Sequence, residues 1–465
     1  MKARASVPPA AAAAPVIDVA AIIEARRFGW HAARLVLVSW LVTFFDGYDM
    51  NVFAFAAPYL APAYHLDKVM LGAVSSAGIA GTLFGGFVFG WLGDRIGRRG
   101  AIIAATAAFG TLTLALMLAS NYVAFMALRF VGGIALGGAI PLTWALGTEY
   151  VPARYRATAV TLIMLGYGIG VSAGGPISIA LIPRFGWMSV FTFGGVASLA
   201  AAAVLALVLP ESLRFLTATG RRPDRLARAV RELAPDIAVP AGARFILSDE
   251  RPAAEEGPRS VLALFEGRLL YVTPLLWLGY IASSMTTFFL AQWGPTVYEG
   301  LGFSRRSAAW VTSGNSLAGS TGGLLLMRLT DRFGVASVAL FPAIALPLLM
   351  AAAFAHLTEI SFIALFLVMA VFLAGSHFGV TSVTGLFYPT SHRALGTGWA
   401  SSMAKIGSIS GPFVGGIVLA SKLPLQHIFA VMAVCPAILS ACMLAIGAIQ
   451  RRALRAAPLA AAPAR

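Results

Sequence analysis

Two carboxylates, Asp46 and Asp49, stand in the middle of an apolar stretch that runs from about Arg34 to Leu60. A stretch of that length suits a helix that spans a bilayer. An ionised Asp near the centre of such a helix costs at least about 2.5 kcal/mol, so it normally faces a partner or a water-filled cavity. Residues three apart share one helix face. The spacing therefore predicts a protonatable pair that lines an aqueous path, and the alternative is a solvated pair near the mouth of the helix.

Composition identifies the class of protein that must position this pair. The chain has 465 residues, of which 59% are hydrophobic and 11% charged, and its mean hydropathy is +0.82. These values lie far outside the range of soluble proteins and predict an all-α integral membrane protein. Twelve apolar spans are predicted, at about residues 34–60, 69–92, 101–119, 122–149, 157–182, 187–209, 269–295, 306–328, 335–355, 360–388, 395–420 and 425–449.

The net charge of +15 is explained by membrane topology and not by nucleic-acid binding. Of the 34 Lys and Arg residues, two lie inside spans (Arg129 and Lys405) and five follow odd-numbered spans. The others lie in the tails and in the loops that follow even-numbered spans, which is the positive-inside pattern. We therefore expect a multi-pass protein of the cell inner (plasma) membrane with both termini in the cytoplasm.

A repeated motif divides the chain into two halves. The segment from Gly90 to Arg99 reads G-W-L-G-D-R-I-G-R-R, and the triplet Leu92-Gly93-Asp94 returns as Leu329-Thr330-Asp331 at an offset of 237 (331 minus 94). Two homologous bundles with a substrate site between them near the midplane would explain this repeat. The predicted domains are a cytoplasmic tail (1–30), an N-terminal six-helix bundle (31–209), a cytoplasmic linker (210–268), a C-terminal six-helix bundle (269–450) and a second cytoplasmic tail (451–465).

This motif resembles the cytoplasmic loop motif of the major facilitator superfamily, and the resemblance extends over all the predicted spans. It implies the major facilitator fold of two pseudo-symmetric six-helix bundles. In that family the acidic and basic residues of these loops act as a cytoplasmic gate. The positions that match or adjoin such loops here are Asp94, Arg95, Arg98, Glu149, Arg156, Asp331, Arg332 and Arg393.

Further segments resemble one branch, the aromatic acid:proton symporters. They are D-G-Y-D in the first span, Arg129 followed by glycines in the fourth, W-G-P-T in the seventh and the stretch from Phe387 to Ala400. The chain departs from that family in having Lys405 where an Arg is expected and His377 where an amide is expected. The resemblance implies uptake of a benzoate-like or hydroxybenzoate-like anion together with a proton.

These observations assign proton coupling and substrate binding to particular residues. Asp46 and Asp49 are assigned to proton coupling, with Asp49 also in the substrate site. A buried Arg129 or Lys405 needs an anionic partner, because a lone cation is costly inside a membrane. Two structural alternatives remain open. Arg129 would extend its side chain to the outer interface, and His377 would be a hydrogen-bonded residue of a packed core. The predicted substrate-binding residues are Tyr48, Asp49, Arg129, Trp144, Tyr280, Phe289, His377, Trp399 and Lys405.

Other functions receive less support from the sequence. A transporter of another organic acid, sugar acid or drug, exporters included, shares the same motifs. A ligand sensor of the same fold stays open, whereas no catalytic triad, metal-ligand cluster or phosphate loop suggests an enzyme. We expect no cofactor and no metal, and we expect a monomer whose partners are the lipid bilayer, a proton and a small organic anion. One further expectation is an amphipathic helix near residues 225–233, lying on the inner membrane surface.

Overall fold

The computed structural model describes residues 15–220, 223–240, 242–249, 260–333, 335–389, 392–421 and 423–456. The chain is mainly helical, as predicted. The helices are α1 (Val19–Ala25), α2 (Trp30–Ala63), α3 (Lys68–Ile96), α4 (Arg98–Ala115), α5 (Tyr122–Glu149), α6 (Ala153–Phe185), α7 (Met188–Val208), α8 (Leu213–Thr219), α9 (Pro223–Leu233), α10 (Leu269–Gly300), α11 (Arg305–Phe333), α12 (Leu340–Phe354), α13 (Glu359–Phe387), α14 (Arg393–Ala420), α15 (His427–Met432) and α16 (Val434–Ala456). Two short strands, β1 (Val16–Asp18) and β2 (Arg244–Ile246), pair in parallel.

Ten helical spans of the described chain are long and apolar enough to cross a membrane, and the bent pair α1–α2 brings the number to eleven. Helix α11 has 29 residues but is not among them. Its sequence explains this, since it contains polar residues such as Ser313, Asn315 and Ser316 between arginines at both ends. The predicted number of twelve spans thus depends on α11.

The helices form two bundles with the same internal packing. In the N-terminal half, α2 packs on α6, α3 on α5 and α4 on α7. In the C-terminal half, α10 packs on α14, α11 on α13 and α12 on α16. These are equivalent pairs, so the repeat seen in the sequence is a repeat of tertiary structure.

Glycines allow the closest helix contacts within each half. A Cβ added to Gly47 of α2 would overlap the carbonyl oxygen of Tyr167 on α6, and one added to Gly170 of α6 would overlap that of Phe44 on α2. Each helix therefore accommodates the other's backbone at a residue that lacks a side chain. Helices α2 and α6 are held together by this reciprocal contact.

The two ends of the molecule differ in how closely the halves approach. We call the end with the α3–α4 and α5–α6 turns the motif end and the opposite end the far end. At the far end α3 contacts α14: Lys68 donates to the carbonyl oxygen of Leu419 at 3.0 Å, and Ser76 donates to that of Ile409 at 2.6 Å. Helix α6 likewise meets α11, where a Cβ on Gly175 would lie 2.6 Å from the carbonyl oxygen of Ala309.

Toward the motif end, α3 and α14 become exposed. Their hydrogen-bonded contacts extend inward as far as Thr82 and Lys405. Beyond this point Trp91 is 55% exposed, and an added Cβ on Gly90 or Gly398 would meet nothing within 4 Å. The structure is therefore closed between the halves at the far end and open at the motif end.

Residues 16–27, predicted to belong to a tail, fold against the N-terminal half. Strand β1 pairs with β2 of the linker, and α1 buries Val19, Ile22 and Ile23. Helix α9 buries Leu226 and Val230 in the same hydrophobic cluster. The predicted position of this amphipathic helix on the membrane surface is therefore wrong, because its apolar face is covered by protein. At the other terminus, α16 continues past residue 450 to Ala456.

Candidate functional site

A buried ion pair links α2 to α5 near the middle of the N-terminal half. The Nη1 of Arg129 donates to both carboxylate oxygens of Asp49 at 3.0 Å, and the side chains are 8% and 7% exposed. Gly78 of α3 leaves room for the guanidinium, since an added Cβ would lie 3.4 Å from its Nε and Nη2. The Arg129 Nε is buried without a hydrogen-bond partner. The simpler explanation, an Arg reaching the outer interface, is thus replaced by a buried pair.

Asp46 lies one turn earlier on α2 and has different surroundings. It is 5% exposed, and none of the hydrogen bonds or ion pairs among the described residues involves its carboxyl group. Lys405, Asp49 and Tyr167 are near enough to interact with it electrostatically. Asp46 is therefore a carboxylate whose nearby cation comes from the other half of the molecule.

Lys405 crosses the boundary between the halves. It lies in α14, and its Nζ donates to the Oγ1 of Thr82 on α3 at 3.2 Å. The Thr82 hydroxyl in turn donates to the Ile79 carbonyl oxygen at 2.7 Å. No described carboxylate lies within ion-pair distance of Lys405, so its charge is available to a ligand carboxylate in the open space between the halves.

His377 lies within the C-terminal half. Its Nδ1 is 3.1 Å from the Oγ of Ser283 on α10, and Ser283 donates to the Tyr280 carbonyl oxygen at 3.1 Å. The ring is partly exposed. The predicted site residues on the two halves thus include Asp46, Asp49 and Arg129 on one side and His377 and Lys405 on the other.

Three of the predicted aromatic residues are buried. Tyr48 is 1% exposed and donates to the Val190 carbonyl oxygen at 3.0 Å, so it packs between α2 and α7. Tyr280 is 2% exposed, and its hydroxyl lies 2.6 Å from the Oγ1 of Thr384. Phe289 packs against Gly415 of α14. These contacts lie within one half of the molecule, and the assignment of the three residues to substrate contact stays a prediction.

The two predicted tryptophans remain accessible. Trp144 and Trp399 are each 36% exposed. Trp399 stacks on Trp277 with the ring centroids 5.8 Å apart and the planes inclined by 21°. It lies six residues after the start of α14, which places it nearer the motif end than Lys405.

The loops of the N-terminal half that carry the predicted gate residues form a charge cluster within that half. Arg98 forms an ion pair with Glu149, whose other oxygen accepts a 2.5 Å hydrogen bond from Ser212. Glu211 accepts from the backbone amides of Arg99 at 3.1 Å and Ser212 at 3.0 Å. The cluster fastens the α3–α4, α5–α6 and α7–α8 connections to one another.

Among the other predicted gate residues, those whose side chains the structure describes form no hydrogen bond or ion pair between the halves. Asp94 is exposed, and the guanidinium of Arg95 lies 4.0 Å from the centroid of the Trp91 ring. Arg156 donates to the Val151 carbonyl oxygen at 3.3 Å, within its own turn. On the C-terminal half Arg332 and Arg393 are exposed, and the side chain of Asp331 lies outside the described part of the chain.

Sequence reasoning missed three polar residues at the boundary between the halves. Thr82 holds Lys405, and Ser75 of α3 donates to the Oε1 of Gln292 on α10 at 2.7 Å. Hydroxyl residues among glycines on α3 resemble ordinary small residues of a packed helix, so spacing alone did not single them out. In the part of the chain that the structure describes, no group of three or more His, Cys, Asp or Glu residues could hold a metal ion.

A family model described as Major Facilitator Superfamily matches residues 39–304 and 276–464. The chain belongs to this superfamily. Its relatives are transporters and not enzymes. The 4-hydroxybenzoate transporter PcaK of Pseudomonas putida is 33% identical over 410 residues, which cover 87% of this chain and 90% of the relative. The gallate transporter of Pseudomonas putida is 32% identical over 448 residues, 96% of this chain and 98% of the relative.

Solved structures agree with the superfamily fold. A partially occluded inward open conformation of the xylose transporter XylE from E. coli aligns with a TM-score of 0.68 and 18% identity. The alignment covers 90% of this chain and 98% of XylE. The chain is therefore a mainly helical, multi-pass membrane protein built from two bundles, as the repeat predicted.

Proposed function

We propose that this protein imports an aromatic carboxylate, such as a benzoate or hydroxybenzoate, together with a proton. The observation that carries the proposal is the position of Lys405, which belongs to α14, donates to Thr82 of α3 across the boundary between the halves, and has no described carboxylate within ion-pair distance. A cation on one half and protonatable carboxylates on the other are what binding of an organic anion and a proton requires. The names of the relatives support the aromatic acid as the cargo.

In this proposal the protein is a monomer in the bacterial inner membrane, with both termini and the motif end in the cytoplasm. The basic residues of the motif end support that orientation. The structure then corresponds to the state that releases cargo inward. The far-end contacts, including the Ser75–Gln292 hydrogen bond, separate when the site opens outward, and the charged loops of the motif end then act as the cytoplasmic gate.

Each proposed residue has a specific task. Lys405 receives the carboxylate of the cargo, and the exposed rings of Trp144 and Trp399 offer faces for its aromatic ring. His377 supplies a hydrogen-bonding group from the C-terminal half. Asp46 and Asp49 are the candidates for the transported proton, and Arg129 keeps Asp49 in place. Alternating access follows if the two halves rock against each other while both the substrate and the proton are bound.

Purified protein in liposomes provides the test. We expect labelled 4-hydroxybenzoate to accumulate inside when the outer solution is more acidic than the lumen, and a protonophore to abolish the accumulation. A matched set of liposomes without the pH gradient serves as the control. Equal uptake with and without the gradient would exclude proton symport, and full gradient-driven uptake by an Asp49→Asn variant would remove Asp49 from the coupling.

A further inference from the structure

The charges inside the membrane-spanning region of the described chain add up to zero. Only four Asp, Glu, Lys or Arg residues lie at least seven residues from both ends of their helices: Asp46 and Asp49 on α2, Arg129 on α5 and Lys405 on α14. Two carboxylates thus face two cations. A change that leaves one of them uncompensated is costly, because an unpaired charge in a low-dielectric interior is strongly disfavoured.

The two carboxylates differ in where their cations are located. Asp49 and Arg129 both belong to the N-terminal half and share two hydrogen bonds. Their contact does not depend on how the halves are arranged. Asp46 belongs to the N-terminal half, whereas Lys405 belongs to the C-terminal half and is held by Thr82 instead of by the carboxylate itself. The balance between Asp46 and Lys405 is therefore the one that a ligand between the halves can alter.

We propose that Asp46 is the internal counter-charge of Lys405, and that a substrate carboxylate replaces it there while Asp46 takes up one proton. This inference rests on the proposed function and deepens it by assigning the proton and the stoichiometry. The substrate brings one negative charge to Lys405, and a proton from water neutralises the Asp46 carboxylate. On release, the substrate leaves as the carboxylate and the proton returns to water on the same side.

Among the described residues, the surroundings of Asp46 supply no competing cation. On its own helix it faces Asp49, whose charge is balanced by Arg129 of α5. From α6 it faces Tyr167, and from α14 it faces Lys405. Helix α7 carries no charged residue, and the charged residue of α10, Glu299, lies at the far end. When the Lys405 ammonium group pairs with a substrate carboxylate, the Asp46 carboxylate is thus left without a compensating charge.

Two consequences distinguish this arrangement from other symport schemes. The loaded site carries no net charge beyond that of the empty one, so transport of a monocarboxylate responds to the pH gradient and not to the membrane voltage. A dicarboxylate would bring a second negative charge that no described group in the centre neutralises. The site therefore selects aromatic monocarboxylates over dicarboxylates of similar size.

Calorimetry of purified protein in two buffers with different ionisation enthalpies measures proton uptake on binding. With 4-hydroxybenzoate as the probe, we expect about one proton per substrate bound for the unmodified chain and about none for Asp46→Asn. Glu299→Gln is the matched control, because this carboxylate lies at the far end beside Arg305, and it should keep the uptake of about one proton. Size-exclusion profiles establish that each variant is folded.

The outcomes separate this inference from the proposed function. Proton uptake retained in Asp46→Asn would overturn it, as would voltage-driven uptake in liposomes held at equal pH. Binding of phthalate, a dicarboxylate, as tightly as benzoate would also overturn it. If the unmodified protein binds no aromatic carboxylate, the proposed function itself fails, whereas binding without proton uptake contradicts the exchange at Lys405 alone.

Discussion

Arg129 reaches both carboxylate oxygens of Asp49 through a single nitrogen, at 3.0 Å each, while its Nε has no partner. The pair joins α2 to α5 and is enclosed by the N-terminal half. Because both charges are buried, each depends on the other for compensation. This relationship gives the first prediction.

Removing both members of the pair should destabilise the fold by less than the two single losses added together. Asp49→Asn or Arg129→Gln leaves one buried charge unpaired, which costs about 3 kcal/mol or more of unfolding free energy. The double variant removes both charges and should lose less than the sum of the single losses. Unfolding in detergent, followed for all four proteins in a double-mutant cycle, measures this. Additive losses would contradict a direct coupling between the two side chains.

Small residues at the far end should control closure of the halves. A Cβ on Gly72 of α3 would lie 2.5 Å from the carbonyl oxygen of Pro412 on α14, and one on Gly175 would press on Ala309 and Ser313 of α11. We therefore expect Gly72→Ala and Gly175→Ala to shift the protein toward a state open at the far end.

Labelling of a cysteine introduced at Ser76 by a membrane-impermeant maleimide reports this shift. Both glycine variants should raise the labelling rate several-fold, because the Ser76 contact with α14 is part of the closed interface. Gly398→Ala is the control, since its added Cβ meets nothing within 4 Å, and it should leave the rate unchanged. Equal labelling in all variants would show that the far end tolerates the extra methyl groups.

The turn between α3 and α4 should require glycine for two separate reasons. Gly97 has φ +98°, and an added Cβ would lie 2.6 Å from the Cδ of Glu211. Gly220 also has positive φ, at +59°, but its added Cβ would meet nothing within 4 Å. Gly220→Ala therefore carries only the backbone strain, about 1–2 kcal/mol, whereas Gly97→Ala also displaces Glu211.

Thermal unfolding of the two alanine variants tests this difference. We expect Gly97→Ala to unfold at a lower temperature than Gly220→Ala, because the displaced carboxylate also loses its hydrogen bonds from Arg99 and Ser212. A Gly97→Ala/Glu211→Ala double variant should recover part of the steric loss. Equal unfolding temperatures for the two single variants would show that Glu211 moves aside without cost.

Acid should loosen the N-terminal segment. Burial raises the pKa of Asp18, but hydrogen bonds from Ser248 and from the amides of Ala21 and Ala20 outweigh it and hold the pKa below its usual range. A carboxyl group whose pKa is lower in the folded state than in the unfolded state stabilises the folded segment. This stabilisation is fully present at pH values above the pKa of the unfolded state, about 4, and it disappears as the pH falls through the pKa of the folded state.

Hydrogen exchange of residues 16–25 at several pH values measures this effect. Protection should decrease as the pH falls below about 4. An Asp18→Asn variant should show weaker protection at neutral pH and less change with pH. Unaltered protection in the variant would mean that the β1–β2 pairing alone holds the segment.

The sequence predicted the fold to the extent that local patterns specify it. Hydrophobic length placed most spans within a few residues, and α5 begins and ends where the fourth span was expected, at Tyr122 and Glu149. The repeat predicted the two bundles. The pattern of α9 also predicted a helix correctly, but Leu226 and Val230 cannot indicate whether lipid or protein will cover them. That choice depends on α1, a helix distant in the chain.

The sequence predicted that the charged candidate residues would be buried or partnered, but it did not predict which way the aromatic candidates would face. An ionisable group in a membrane helix must have a partner, so Asp46, Asp49, Arg129 and Lys405 were identifiable from burial cost alone. An aromatic side chain is common both in a packed core and in the wall of a cavity. The helix face on which it lies decides between these two positions. Tyr48 immediately precedes Asp49 but turns toward α7, and this rotation cannot be read from residue type.

The reciprocal contact of Gly47 and Gly170 has a consequence for how the protein could be followed in action. If the halves rock as proposed, this contact keeps α2 and α6 together, so that a probe on α6 would report the position of Asp46 without touching it. The distance between this probe and a second probe on α14 would then change during each transport cycle.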